Sequence, residues 1–251
     1  MLGIFHKSLA HAPEELSAPG GASPDCRKKG VEILRFFSHN NPQAISVQFD
    51  EDSAVAYTSK RQALLRPRTF AVVDDIFCVF VGVLDNLPSL RQQYGLSKNV
   101  DEVKQVIEIY RALRDRAPYP VDQVMGDLSG QFAFVLFDNH TRTILAAADC
   151  QGKVPFFWGI TSDGSLCFSD DAQLLKAGCG KSFAPFPAGC FFSSKGGLSS
   201  FEHPLNEVKA VPRVDSQGHM CGSTFKVDRA APKHSASFPR VGSDATWPSA
   251  F

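Results

Sequence analysis

The sequence predicts an α+β domain built as a four-layer α-β-β-α sandwich, two stacked antiparallel sheets flanked by helices. Three observations carry that expectation. Apolar runs of strand length recur in pairs across short turns, the pattern of hairpins and therefore of antiparallel sheets. Some of those runs, Ile76–Leu84 foremost, are apolar at nearly every position, so both faces of the strand need cover. Helical patterns are few, and the best of them, over residues 101–116, is amphipathic. The chain has 251 residues, enough for one large domain with a substantial core or two small ones. Its 21 phenylalanines supply packing side chains that need no hydrogen-bond partner.

Taken in order, Leu2–Phe5 is a short apolar start expected as a buried terminal strand. Residues 12–29 are rich in Pro, Gly and Ser and read as a surface loop. A short helix is expected over 31–39, stopping before Pro42, and 44–49 alternates like a strand. Residues 69–73 and Ile76–Leu84 flank Asp74 and Asp75, which predicts a tight hairpin. In the 101–116 helix Val103, Val106, Ile107, Tyr110 and Leu113 follow the i, i+3, i+4, i+7 spacing. Asn99 and Glu102 suit a capping box, and Pro118 ends the helix. Two hairpins follow: 131–137 with Thr143–Ala148, then 154–160 with 166–168. Ser169 is expected to cap a helix with Asp170 and Asp171 in its first turn and Gly178 at its end. Strands at 189–193 and 198–201 complete the domain. Residues 226–251 lack periodicity, so the domain is placed at 1–225 and a tail at 226–251.

Lys+Arg and Asp+Glu balance at 26 each, and the longest basic block is Arg27, Lys28 and Lys29. That argues against nucleic-acid binding, which needs clustered positive charge. The N-terminal residues lack a basic region and a long apolar run, so no secretory signal and no membrane span are expected. The seven cysteines (26, 78, 150, 167, 179, 190, 221) are scattered without a C-x-x-C pair, which fits a reducing compartment, the cytosol and also the nucleus. Histidines show no metal spacing and no nucleotide loop occurs, so neither metal nor cofactor is expected.

Four segments, in order, resemble the class-II glutamine amidotransferase domain found at the start of asparagine synthetases. Met1-Leu2-Gly3-Ile4 stands where that family has Met-Cys-Gly-Ile, and Val81-Gly82-Val83-Leu84-Asp85-Asn86 is similar to its Asn-Gly-Glu-Ile-Tyr-Asn. Gly130-Gln131-Phe132-Ala133-Phe134, with the turn from Asp149 through Gly152 to Pro155, resembles its central hairpin. Phe186-Pro187-Ala188-Gly189 matches a later motif. The resemblance implies an N-terminal-nucleophile (Ntn) type of fold over about residues 2–203. A narrower resemblance, through Tyr94-Gly95-Leu96 and Leu113-Arg114-Asp115-Arg116, is to plant aluminium-induced, stem-specific-like proteins, which implies a stress-response context.

In the resembled enzymes a cysteine exposed by removal of the first Met attacks the glutamine amide, and its own amine takes the proton. Leu2 has no nucleophilic atom. Val81 replaces the oxyanion-binding Asn, a loss of about 10²–10³ in rate by itself. No Arg lies at 50–54, where the resemblance puts the substrate-binding one, and Val83 replaces a Glu. What remains is a vestigial pocket of Leu2, Gly3, Val81, Gly82, Asn86 and Asp101. Gly82 could offer a backbone N–H, and Asp101 or Glu102 could face a substrate ammonium. The plainer readings outweigh these: a close-packed glycine, a turn residue and a helix N-terminal charge. The expectation is therefore a pseudoenzyme with no catalytic residue, a stress-associated binding or scaffold protein. It is expected to self-associate as a homodimer, because its aromatic content exceeds what two sheets obviously need. The alternatives are an amidohydrolase with a relocated nucleophile (Cys26, Cys78 or Cys150) and a sensor holding an amino-acid-like ligand in the vestigial pocket.

Overall fold

Two six-stranded antiparallel sheets lie face to face, and a two-stranded ribbon packs where their edges meet. The computed structural model describes residues 1–17, 27–59, 67–98, 100–115, 121–214 and 220–232. The first sheet contains β1 (Leu2–Phe5), β2 (Ile45–Asp50), β3 (Ser53–Tyr57), β8 (Phe157–Ile160), β9 (Leu166–Ser169) and β10 (Phe183–Pro185), in the order β10-β8-β9-β1-β3-β2. The second contains β4 (Arg68–Val73), β5 (Ile76–Leu84), β6 (Gly130–Asp138), β7 (Thr143–Ala148), β11 (Cys190–Ser193) and β12 (Gly197–Ser200), in the order β12-β11-β7-β6-β5-β4. Helices α1 (Gly30–Asn40) and α5 (Ala172–Cys179) cover the outer face of the first sheet. Helices α2 (Leu87–Tyr94), α3 (Glu102–Asp115) and α4 (Val121–Gly126) cover the second. The architecture is the expected α-β-β-α sandwich.

Each layer follows from local chemistry. The β4–β5 hairpin turns at Asp74 and Asp75, both with positive φ (48° and 58°), a conformation that short polar side chains tolerate. Strand β5 is apolar throughout because Val79 and Val81 face the inter-sheet core while Cys78 and Phe80 face the helices. On the first sheet, Leu2 and Ile4 pack with Ile33, Leu34 and Leu175 beneath α1 and α5. The inter-sheet core is aromatic: Trp158 meets Phe186, Phe192 and Phe225 edge-on at 5.2, 6.0 and 5.0 Å between centroids. Phe225 comes from the ribbon, formed by β13 (Asn206–Val214) and β14 (Met220–Pro232), which packs against β12 and β10.

Several expectations need correction. Strands β3, β10, β13 and β14 and helix α4 carried no recognised signal, and β14 runs past residue 226, where the tail was placed. Ser169 does not cap α5. Asp171 does, accepting from the N–H groups of Gln173 (2.9 Å) and Leu174 (3.2 Å). Gly178 lies inside α5, which ends instead at Gly180; Gly178 lets α1 approach, since a Cβ there would run into Ile33. Asn99, half of the expected capping box, lies outside the described residues. Among the described residues no helix is long and apolar enough to cross a membrane.

Candidate functional site

Strand β1 sits between β3 and β9, with Leu2 opposite both Ala56 and Ser169. That placement fixes which way its side chains point. Leu2, 1% exposed, faces the helix-covered cluster, whereas Met1, equally buried, faces the inter-sheet core. The Met1 amine is enclosed and donates to Asp170 Oδ1. Arg68 Nε donates to Asp170 Oδ2 at 2.5 Å, so two cations share one carboxylate. Ser169 Oγ donates to the Met1 carbonyl at 2.8 Å and accepts from Asp171 N–H at 3.1 Å. Burial lowers the pKa of the Met1 amine, and the attraction of Asp170 only partly opposes this. An amine in this setting is held in an ion-pair network, with a hydrocarbon side chain following it.

On the second sheet, Val81 is opposite Arg68 in the β4–β5 register and belongs to the same inter-sheet core as Met1. It offers no donor. The Gly82 N–H donates to the Pro67 carbonyl at 2.9 Å, so the expected free donor is already engaged. Gly82 has φ +113°, and a Cβ there would collide with the Gln131 carbonyl. The glycine serves close strand approach. Gly3 is similar: a Cβ would come within 3.1 Å of both the Phe5 ring and Val135 of the opposite sheet.

The other two expected residues have structural tasks. Asn86 ties the start of α2 to the α4–β6 connection, donating to Asp127 O (2.7 Å) and accepting from Ser129 N–H (3.1 Å). Asp101 is exposed ahead of α3 and pairs with Lys104 at 3.7 Å. The fold thus gathers Met1, Leu2, Gly3 and Val81 with Arg68 and Asp170, while the polar atoms of Asn86 and Asp101 are engaged elsewhere. Arg68 and Asp170 were missed. Arg68 opens an apolar strand, and Asp170 looked like an ordinary first-turn acid; their pairing is a contact between distant chain segments.

The relocated-nucleophile candidates fare poorly as thiolates. Cys78 is fully buried, which pushes its thiol far up. Cys150 is exposed, yet partial burial and the nearby Glu202 and Asp149 carboxylates raise it too. Cys26 lies outside the described residues. Among the described residues no group of three His, Cys, Asp or Glu could hold a metal ion.

A family model described as "Aluminium induced protein" matches residues 2–227. A stem-specific protein of Nicotiana tabacum is 39% identical over 148 residues, covering 59% of this chain and 99% of that protein. A probable glutamine-hydrolysing asparagine synthetase of Dictyostelium discoideum is 43% identical over 179 residues and one of Zea mays 40% over 197, covering 67% and 74% of this chain. The chain spans about a third of those synthetases (30% and 31%), the part homologous to their glutamine amidotransferase domains. Among solved structures, a glutamine phosphoribosylpyrophosphate amidotransferase from B. subtilis aligns at TM-score 0.48 with 12% identity, over 80% of this chain and 48% of that one.

Proposed function

We propose, from the premise that the chain belongs to the aluminium-induced protein family, that it is a catalytically degenerate glutaminase-fold protein acting as a stress-associated binding or scaffold protein in the plant cytosol, and in the nucleus as well. The observation that carries this reading is the state of the N-terminal strand. Leu2 is packed beneath α1 and α5, and the Met1 amine is ion-paired to Asp170 rather than poised beside a nucleophile. The oxyanion side is equally poor, with Val81 apolar and the Gly82 N–H engaged by Pro67. An assay of ammonia release from glutamine tests it. Release above that of a cysteine-free variant would overturn the reading and favour a relocated nucleophile.

A second reading, a sensor for an amino-acid-like ligand, is favoured by Arg68, a cation beside the vestigial pocket that can receive a ligand carboxylate if Asp170 yields. Thermal-shift measurements with glutamine and asparagine test it; no stabilisation in the wild type rules it out. Self-association remains part of the proposal, on altered grounds. Phe156, Trp158 and Phe186 are buried within one chain, so aromatic excess does not support a dimer. Exposed apolar side chains on the edge strands do: Ile45 on β2 is 54% exposed and Val72 on β4 is 45% exposed. Light scattering that gives one chain's mass at every concentration rules the dimer out.

A further inference from the structure

Among the described residues, the helices on the second sheet leave part of its outer face uncovered. A cavity of about 550 Å³ lies there, bounded by the ends of α3 and α4 and by β7, β11 and β12. Its size falls within the range of small-molecule sites. The walls include apolar Leu113, Leu145 and Phe191, while Arg114 stands in the wall and Lys195 in the β11–β12 turn. Leu113 and Arg114 belong to the Leu-Arg-Asp-Arg motif, which by itself states no chemistry.

Arg114 is unusually well held for a side chain that is 25% exposed. Its Nε donates to Asp115 at 2.9 Å and its Nη1 to Asp138 at 3.2 Å. Asp138 is fully buried and also accepts from the Tyr110 hydroxyl (3.1 Å) and the N–H groups of His140 (2.9 Å) and Thr141 (3.1 Å). Four donors meet that carboxylate, so its demand on Arg114 is shared. The two Arg114 bonds engage Nε and Nη1, and among the described residues no bond engages Nη2, which carries two further N–H donors. A guanidinium oriented by a buried carboxylate on a rigid strand, beside an apolar cavity, is how a binding site for a planar anion is built.

We propose that this cavity binds a small carboxylic acid with a compact apolar body, its carboxylate held by Arg114 and Lys195 and its body lying against Leu145 and Phe191. Asp122, on the first turn of α4, is the acid that shares the cavity; it disfavours a second negative charge and so selects a monoanion. The site is separate from the Met1–Arg68–Asp170 cluster and does not depend on whether that cluster is catalytically dead.

The test is calorimetric titration of the whole protein with 3-phenylpropionate, its uncharged amide and phenethylamine, with chemical-shift mapping. The expected result is saturable binding of the acid, weakened about tenfold in the amide, as expected for losing a charge-assisted bond. Shifts should centre on Thr143 and Ser193. Arg114→Gln should weaken the acid similarly, while Arg68→Gln should not change it. Should Arg114→Gln fail to fold, Lys195→Gln at an exposed turn carries the same test. Absence of saturable binding, equal binding of acid and amide, preference for the amine, or shifts centred on Met1 and Gly82 would each overturn the proposal.

Discussion

Arg68 on the edge strand of the second sheet donates to Asp170 at 2.5 Å, immediately after a strand of the first sheet. One carboxylate therefore links the two sheets and neutralises the buried Met1 amine beside them. Removing Asp170 leaves an enclosed ammonium and a mostly buried guanidinium without their shared partner. Asp170→Ala is expected to destabilise the fold by about 3 kcal/mol, the usual cost of breaking a buried pair from one side. Arg68→Gln should cost less, because the Met1 amine keeps its acceptor. Urea denaturation of the two variants checks both the size and the order.

Leu2→Cys puts a thiol where the resembled enzymes carry their nucleophile, and the geometry argues against turnover. The side chain at position 2 points into the cluster of Ile4, Ile33 and Leu175, not toward the inter-sheet core. Val81 supplies no oxyanion donor, and the Gly82 N–H is taken. We expect no glutamine turnover above background. The exchange should cost about 2 kcal/mol from lost packing. Coupled ammonia detection and a melting curve on the same sample measure both.

Gly82 and Gly95 make a matched pair. Both have positive φ, at 113° and 67°, but a Cβ at Gly82 meets Gln131 backbone whereas one at Gly95 meets nothing within 4 Å. Gly95→Ala should cost only about 1 kcal/mol of left-handed strain. Gly82→Ala adds a collision that neither strand can relieve without breaking β5–β6 pairing, so it should cost at least about 3 kcal/mol. Equal losses in the two variants would refute the close-approach explanation.

The legible parts of the fold were those where periodicity is strong. Strand β5 and the Val103–Val106–Ile107–Tyr110 face of α3 announce themselves because one chemical environment covers many consecutive positions. The ribbon was missed although β13 alternates, with Glu207 and Lys209 outward and Val208 and Ala210 packed inward. Pro212 and the charged residues between its apolar positions masked the alternation. At the site, the hydrocarbon side chain at position 2 is legible from the sequence directly. The Arg68–Asp170 pair could not, because 102 positions separate two residues that each look ordinary locally.

Asp138 makes the stability of the fold depend on pH. Burial alone would raise its carboxyl, but bonds from Thr141, Arg114 and Tyr110 outweigh this and hold it below the usual carboxylate range. A carboxyl lowered in the folded state binds fewer protons there than in the unfolded chain. Its contribution to stability is therefore fully present above the unfolded value, about pH 4, and is lost as the pH falls through the folded value. Acidification below about pH 4 should lower the melting temperature of the wild type through this group. Asp138→Asn, which keeps the shape but not the charge, should be less stable at neutral pH and lose less on acidification. If the two melting temperatures instead fell in parallel between pH 5 and pH 2, the window in which such a group titrates, the Arg114–Asp138 pair would not be the source of the acid sensitivity.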